Sequence, residues 1–197
     1  RRIEKVTNYS TQTDKICKSN YLIKTINRIT KKKLILFKDK INFAQFKSSG
    51  FKPHIDGHFY WRDEKQTIQK GWEKYGNVFF TVAIALQDCS LSNGCLHLAS
   101  KQDTLSTLGK NWEDITKKLK KFTPEVKSKD QKSFKFFPVA MKLGDMLIFD
   151  WKCAHFSETS QSKQARMILY LTFGEKKEGN QREIYYNDKN TSKNPIK

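Results

Sequence analysis

Two side chains able to bind a metal stand two residues apart in the segment FKPHID. On an extended backbone, alternate side chains point to the same face, so His54 and Asp56 can bind one metal ion together. A third ligand must come from elsewhere in the fold, and His155, in the loop expected after an apolar strand, is the best-placed candidate. Two imidazoles and one carboxylate leave other coordination positions open, as in non-haem iron(II) oxygenases. Open positions indicate catalysis rather than a structural metal.

Arg166 adds weight to this interpretation. A His-x-Asp pair alone is weak evidence, because it also occurs in surface turns where Asp accepts backbone hydrogen bonds. Arg166 lies 11 residues after His155, among apolar neighbours on a predicted strand. An unpaired guanidinium is costly there, so a carboxylate partner is expected. A dicarboxylate cosubstrate fits, with its 2-oxo acid end on the metal and its far carboxylate on the arginine.

Short strands must position these residues. Apolar and β-branched runs predict strands within 34–37, 77–86, 95–98, 134–141, 146–149 and 165–173. In the last of these, Arg166, Ile168, Tyr170 and Thr172 point to one face and their neighbours to the other. One helix is expected at 111–121, with Asn111 as its N-cap. This pattern predicts a mainly β sandwich or barrel with one or a few peripheral helices.

The 197 residues suit a single domain. Residues 1–33 are polar and without a clear pattern, and we expect a poorly ordered lead-in there. The core domain is predicted to span 34–174, and residues 175–197 are expected to form a polar tail.

The net charge of +18 narrows the choice of partners. Residues 1–50 carry 13 basic and only 3 acidic side chains, including the run Lys31, Lys32 and Lys33. A nucleic-acid reader would cluster Arg with exposed aromatic side chains, and no such motif is evident, so a nucleic-acid partner is not expected. The charge favours an anionic small molecule or an acyl carrier. The sequence does not indicate an oligomeric state.

The sequence also indicates where the protein is located. No apolar run approaches the roughly 20 residues of a membrane-spanning helix, so no membrane association is expected. The four cysteines form no CxxC pair, which favours reduced thiols and a cytoplasmic location.

Several ordered motifs together resemble the phytanoyl-CoA dioxygenase family of Fe(II)/2-oxoglutarate oxygenases. The motifs are PHID (53–56), VAIALQD with SNGCLHLASKQ (82–102), KLGDMLIF (142–149), HFS (155–157) and Arg166. The resemblance covers about residues 50–173. It implies a double-stranded β-helix core, which is a jelly roll of the cupin type. The chain also departs from the family pattern in two places. Residues 98–101 read LASK instead of Pro-Gly-Ser-His, and the helical region before the metal motif is expected to be short or missing.

The same resemblance implies the ligands of the site. Iron is expected on His54, Asp56 and His155, and 2-oxoglutarate on Arg166. Ser157 is implied as a second contact to the cosubstrate. Thr81 is implied as a third contact.

The implied activity is that of a dioxygenase. With Fe(II), 2-oxoglutarate and O2, it would hydroxylate or otherwise oxidise an unactivated C–H bond of a small, anionic or carrier-linked substrate, with succinate and CO2 as co-products. The intact carboxylate at Asp56 favours hydroxylation over halogenation. The alternative is a non-catalytic basic jelly roll that binds nucleic acid or another polyanion and whose histidines are incidental.

Overall fold

The computed structural model describes residues 2–120 and 122–192. Residues 1 and 193–197, at the outer ends of the two predicted terminal segments, lie outside the described residues. The strands are β1 (Arg2–Glu4), β2 (Leu34–Ala44), β3 (Tyr60–Arg62), β4 (Ile68–Lys70), β5 (Phe79–Ala85), β6 (Leu96–Leu98), β7 (Phe137–Val139), β8 (Met146–Asp150), β9 (His155–Ser157) and β10 (Arg166–Glu175). The α-helices are α1 (Thr11–Lys18), α2 (Asn20–Thr30), α3 (Lys101–Leu108), α4 (Trp112–Lys118), α5 (Ser128–Gln131) and α6 (Arg182–Thr191).

Two antiparallel sheets carry the fold. The larger sheet has the strand order β1-β2-β10-β5-β8, and the smaller has the order β7-β6-β9. Side chains of both sheets, among them Ala83, Ile168 and Leu96, meet in one buried cluster. The strands β3 and β4 form a separate hairpin. Each segment predicted to contain a strand does contain one, but His155 begins strand β9 rather than lying in a loop.

The central strand β10 shows why this arrangement forms. Ile168 and Tyr170 point into the cluster between the sheets, while Leu169 and Leu171 point to the outer face. Both faces are therefore covered, and the strand reads as a nearly continuous apolar run. The predicted two-residue alternation is confirmed, and it places Arg166 on the inner face at the start of the strand.

The first 33 residues differ from the expected irregular lead-in. Helices α1 and α2 occupy most of this segment, and Ser10 and Ser19 cap them by accepting hydrogen bonds from backbone N–H groups. Leu22 and Ile26 lie one turn apart and are buried against the outer face of the large sheet. Each such side chain contributes about 1.5–3 kcal/mol on burial. The Lys- and Asn-rich composition hides this narrow apolar face.

The C-terminal segment also differs from the expected polar tail. Helix α6 buries Tyr185 and Tyr186 against the core. Arg182 forms an ion pair with Asp39 of β2, whose side chain is fully buried. Two adjacent aromatic residues give little helical periodicity, so their packing depends on contacts with distant parts of the chain.

The helix predicted at 111–121 is confirmed as α4, which spans Trp112–Lys118, and position 121 lies outside the described residues. The Asn111 side chain accepts a hydrogen bond from the Asp114 N–H at 2.9 Å and caps the helix. Ile115 and Leu119 are buried, although Leu119 follows the last helical residue. Across the described part of the chain, no helix combines the length and the apolar character that crossing a bilayer requires.

Candidate metal centre and cosubstrate site

Backbone hydrogen bonds bring His54 and His155 together. The His54 N–H donates to the carbonyl oxygen of His155 at 3.0 Å, and the His155 N–H donates to that of His54 at 2.9 Å. On its other side, the His54 segment bonds to residues 124–126, through Val126 N–H to Pro53 oxygen and Ile55 N–H to Pro124 oxygen. The first ligand segment is thus held as an extra strand beside β9. This pairing places the two imidazole centroids 4.2 Å apart.

Both imidazoles are oriented by carbonyl groups. His54 Nδ1 lies 2.7 Å from the Lys52 carbonyl oxygen, and His155 Nδ1 lies 3.0 Å from that of Cys153. Because a carbonyl oxygen can only accept, each Nδ1 carries the proton and donates it. Each Nε2 therefore keeps its lone pair for a metal ion, which is how outer hydrogen bonds commonly orient histidine ligands.

Asp56 completes the group. Its two oxygens lie 4.0 Å from His54 Nε2 and 3.8 Å from His155 Nε2. One ligand atom of each residue lies within 4.8 Å of the others, a spacing that a single metal ion can bridge. Gly57 follows with φ of 75°, a conformation that glycine adopts freely, and it turns the chain away after the ligand. In residues 2–120 and 122–192 this is the one His/Cys/Asp/Glu cluster of that kind, so His58 and His97 are not part of it.

The protonation states suit a cation. Burial lowers the pKa of His54 to about 3, helped by the neighbouring His155, and burial also lowers the pKa of His155. Burial opposes ionisation of Asp56, but Lys40 and the two imidazoles outweigh it and hold the pKa of this carboxyl well below its ordinary value. At neutral pH the group therefore offers two neutral nitrogens and one carboxylate, the donor set of a facial triad.

Arg166 faces the same cavity from the large sheet. The cavity has a volume of about 420 Å³ and is lined by the three metal-binding candidates together with Arg166. The arginine is only 5% exposed, and its buried Nε has no hydrogen-bond partner among the described residues. The part of the chain that the structure describes supplies no carboxylate within ion-pair distance of it. A buried guanidinium at the edge of a cavity is suited to a carboxylate ligand, preferably a bidentate one.

The structure separates the two hydroxyl candidates. Ser157 lines the cavity, and its oxygen accepts a hydrogen bond from the Phe51 N–H at 3.1 Å, which leaves its own O–H to donate. Thr81 is buried in β5, and its hydroxyl lies 3.3 Å from that of Thr172. It is not among the residues that line the cavity. The implied cosubstrate contact by Thr81 therefore finds no support, because its register places it toward the far end of β10.

The sequence interpretation missed cationic groups at the opposite end of the cavity. Lys40 of β2 and Arg2 of β1 both line it. Burial lowers the pKa of Lys40 to about 8, against the opposing effect of Asp56. A signal was available, because Lys38 and Lys40 share one face of a strand that is otherwise largely apolar. Charged residues with a two-residue spacing in a buried strand indicate a polar cavity on that face.

The model of the family described as "Phytanoyl-CoA dioxygenase (PhyH)" matches residues 11–168. The chain belongs to this family. The resemblance read from the motifs is confirmed, and the match also includes the helices α1 and α2, where the sequence analysis expected an irregular segment.

Two curated relatives of this family member act on phosphonates by their names. A methylphosphonate hydroxylase of Gimesia maris is 29% identical over 160 residues, which are 80% of this chain and 52% of the relative. A 2-aminoethylphosphonate dioxygenase of an uncultured bacterium is 24% identical over 166 residues, which are 83% of this chain and 55% of the relative. The chain thus spans about half the length of these relatives.

Solved structures confirm the fold. The structure of EctD from S. alaskensis with 2-oxoglutarate and 5-hydroxyectoine has a TM-score of 0.65 at 13% identity, covering 90% of this chain and 57% of that one. AviO1 from Streptomyces viridochromogenes has a TM-score of 0.62 at 13% identity, covering 88% and 66%. The mainly β, double-stranded β-helix fold predicted from the sequence is confirmed.

Proposed function

We propose that this family member is an Fe(II)- and 2-oxoglutarate-dependent dioxygenase that hydroxylates a C–H bond of a small anionic molecule. One observation carries the proposal: three side chains able to bind a metal meet in a single cavity with a buried arginine that no carboxylate of the described residues pairs with. The two nitrogens and one carboxylate of this group suit Fe(II), and the guanidinium of Arg166 suits the far carboxylate of a dicarboxylate. When bound there, the iron and 2-oxoglutarate supply the oxidising chemistry with O2, and succinate and CO2 are the co-products.

The residues divide the work. His54, Asp56 and His155 would hold the metal from one side through two Nε2 atoms and a carboxylate, leaving its other positions for ligands. Arg166 would bind the far carboxylate of 2-oxoglutarate, and the free O–H of Ser157 would donate to the same cosubstrate. Apolar lining residues, among them Leu96 and Phe156, exclude water from the reacting atoms.

The relatives suggest which substrates to test. Both names describe oxidation of a phosphonate, so methylphosphonate and 2-aminoethylphosphonate are the first probes. The proposal includes the cytoplasm as the compartment, since the four cysteines are free thiols in the structure, as suits a reducing environment. The competing idea of a polyanion-binding module leaves the convergence of the metal-binding residues unexplained.

The test is succinate formation. Protein supplied with Fe(II), O2 and 2-oxoglutarate should release succinate slowly on its own and faster with a substrate, whose mass should rise by one oxygen atom. Asp56→Ala should abolish both reactions, whereas Glu64→Ala, which removes an exposed carboxylate outside the cavity, should leave them unchanged. Undiminished succinate release by Asp56→Ala would refute the assignment of the metal ligands.

A further inference from the structure

Lys40 and Arg2 form a second cationic group on the wall of the cavity, apart from Arg166. In the pairing of β10 with β2, Arg166 lies opposite Ala44, and Tyr170 lies opposite Lys40. Directly paired residues of antiparallel strands point to the same face, so Lys40 and Arg166 both point into the cavity. Arg2 of the edge strand β1 pairs with Asn42 and lines the same cavity.

Lys40 differs from its neighbour Lys38 in its partners. The Lys38 ammonium is buried and lies 3.8 Å from Glu4, so a carboxylate faces its charge. The Lys40 ammonium lies over the Tyr170 ring at 5.2 Å, and within residues 2–120 and 122–192 no carboxylate lies in ion-pair distance of it. A single carboxylate, Glu4, faces Arg2, Lys38 and Lys189 together. This side of the cavity therefore has an excess of positive charge.

The charges of the metal, the cosubstrate and the cavity side chains can be compared. A divalent metal beside Asp56, together with Arg166, offsets the two negative charges of 2-oxoglutarate. Glu125, the other carboxylate of the cavity wall, lies 2.8 Å from the Lys120 ammonium. The charge on Lys40 is thus not offset when metal and cosubstrate are bound, and a partly buried cation favours an anionic partner.

Lys40 and Arg166 lie at strand positions that are far apart. Lys40 and Ala44, the partner of Arg166, are four residues apart on β2, which is about 13 Å along a strand. The Lys40 ammonium stays at its own end, over the ring of its strand partner Tyr170, while Arg166 lies at the other end. The cavity of about 420 Å³ has room for a small ligand in addition to the cosubstrate, within the size range of small-molecule sites.

We propose that Lys40, assisted by Arg2, binds the anionic group of the substrate, a phosphonate or a similar compact oxyanion, and so holds its C–H bond toward the metal. This inference rests on the proposed function and adds a specificity-determining residue to it. The ammonium acts as a point charge with three donors, which suits a tetrahedral oxyanion.

Binding measurements test it separately from turnover. Calorimetry on protein loaded anaerobically with Fe(II) and 2-oxoglutarate should give a methylphosphonate affinity about 10- to 100-fold weaker in Lys40→Met, the loss expected for one charge-assisted hydrogen bond. The affinity for 2-oxoglutarate should stay within about twofold. Lys40→Arg should retain most of the methylphosphonate binding. Lys129→Met is the matched control, because this exposed lysine of α5 carries the same charge but does not line the cavity.

Three results would overturn the inference. They are unchanged methylphosphonate binding in Lys40→Met, a loss of 2-oxoglutarate binding instead, and no methylphosphonate binding by the wild-type protein at millimolar concentration. A thermal melt of each variant shows that it is folded, and the neutral but polar variant Lys40→Gln, for which the same loss is expected, replaces Lys40→Met if that variant does not fold. Succinate release without substrate reports on the proposed function alone, so its failure is distinguishable from failure of the Lys40 assignment.

Discussion

Replacing Arg166 with Met separates a binding role from a structural one. Methionine retains an unbranched apolar side chain in the space of the arginine stem but lacks the guanidinium. A bidentate pair with a carboxylate comprises two charge-assisted hydrogen bonds of about 1.5–3 kcal/mol each, so the loss should be at least about 3 kcal/mol, or more than 100-fold in the dissociation constant of 2-oxoglutarate.

Stability should respond in the opposite sense. Breaking a buried ion pair costs about 3–5 kcal/mol, but Nε of Arg166 is buried without a partner, and no carboxylate among the described residues pairs with this side chain. Removing this charge from the metal-free protein should leave the free energy of unfolding unchanged within about 1 kcal/mol, or raise it.

Two measurements distinguish a binding role of Arg166 from a structural role. Calorimetric titration of 2-oxoglutarate into anaerobic, Fe(II)-loaded protein gives the affinity, and urea unfolding of the metal-free protein gives the stability. Arg62→Met serves as the control, because Arg62 carries the same charge on the β3–β4 hairpin and does not line the cavity. An Arg166→Met protein that binds 2-oxoglutarate normally, or unfolds with a loss of several kcal/mol, would show that the arginine is structural.

Three further outcomes are expected. Burial lowers the pKa of His54 from 6.5 to about 3, so between these pH values the unfolded chain binds a proton that the folded chain does not. The metal-free protein should therefore lose stability as the pH falls from 6.5, by about 1.4 kcal/mol per pH unit for this residue. Urea unfolding at pH 7 and pH 5 should show a smaller loss of stability in His54→Gln than in the wild-type protein. Arg182→Met leaves the fully buried Asp39 without its ion-pair partner and should cost about 3 kcal/mol or more by urea unfolding, whereas a loss below 1 kcal/mol would contradict the packing described for α6. Gly50→Ala places a Cβ on the carbonyl oxygen of Ser157, so β9 must shift; thermal melts should show destabilisation, and unchanged Fe(II) affinity would argue against a coupling of this contact to His155.

Local patterns explain which features the sequence could predict. The His54 and Asp56 pair depends only on the two-residue period of an extended backbone, and the alternation on β10 depends on the same period. Arg166 could be assigned because a guanidinium among apolar neighbours demands a partner. In each case, the information lies within a few residues of the feature.

Long-range contacts explain what could not be predicted. Helix α2 buries Leu22 and Ile26 on a sheet formed by much later residues, and its polar faces dominate the local composition. The packing of Tyr185 and Tyr186 likewise depends on β2, which lies far away in the sequence. The position of Lys40 opposite Tyr170 requires the strand register, and nothing local specifies that register.

The reciprocal backbone bonds between His54 and His155 also bear on metal selection. The protein's own hydrogen bonds set the separation of the two imidazoles, so the chelate exists before any ion arrives. A prebuilt nitrogen and oxygen chelate accepts Co²⁺, Ni²⁺ and Zn²⁺ as readily as iron, and in general binds the later ions of that series more tightly. Supply in the cell, rather than discrimination by the chelate, would then determine which ion is acquired. Protein purified in air should consequently carry a mixture of inert ions, and removing them with a chelator before adding ferrous salt should increase its turnover.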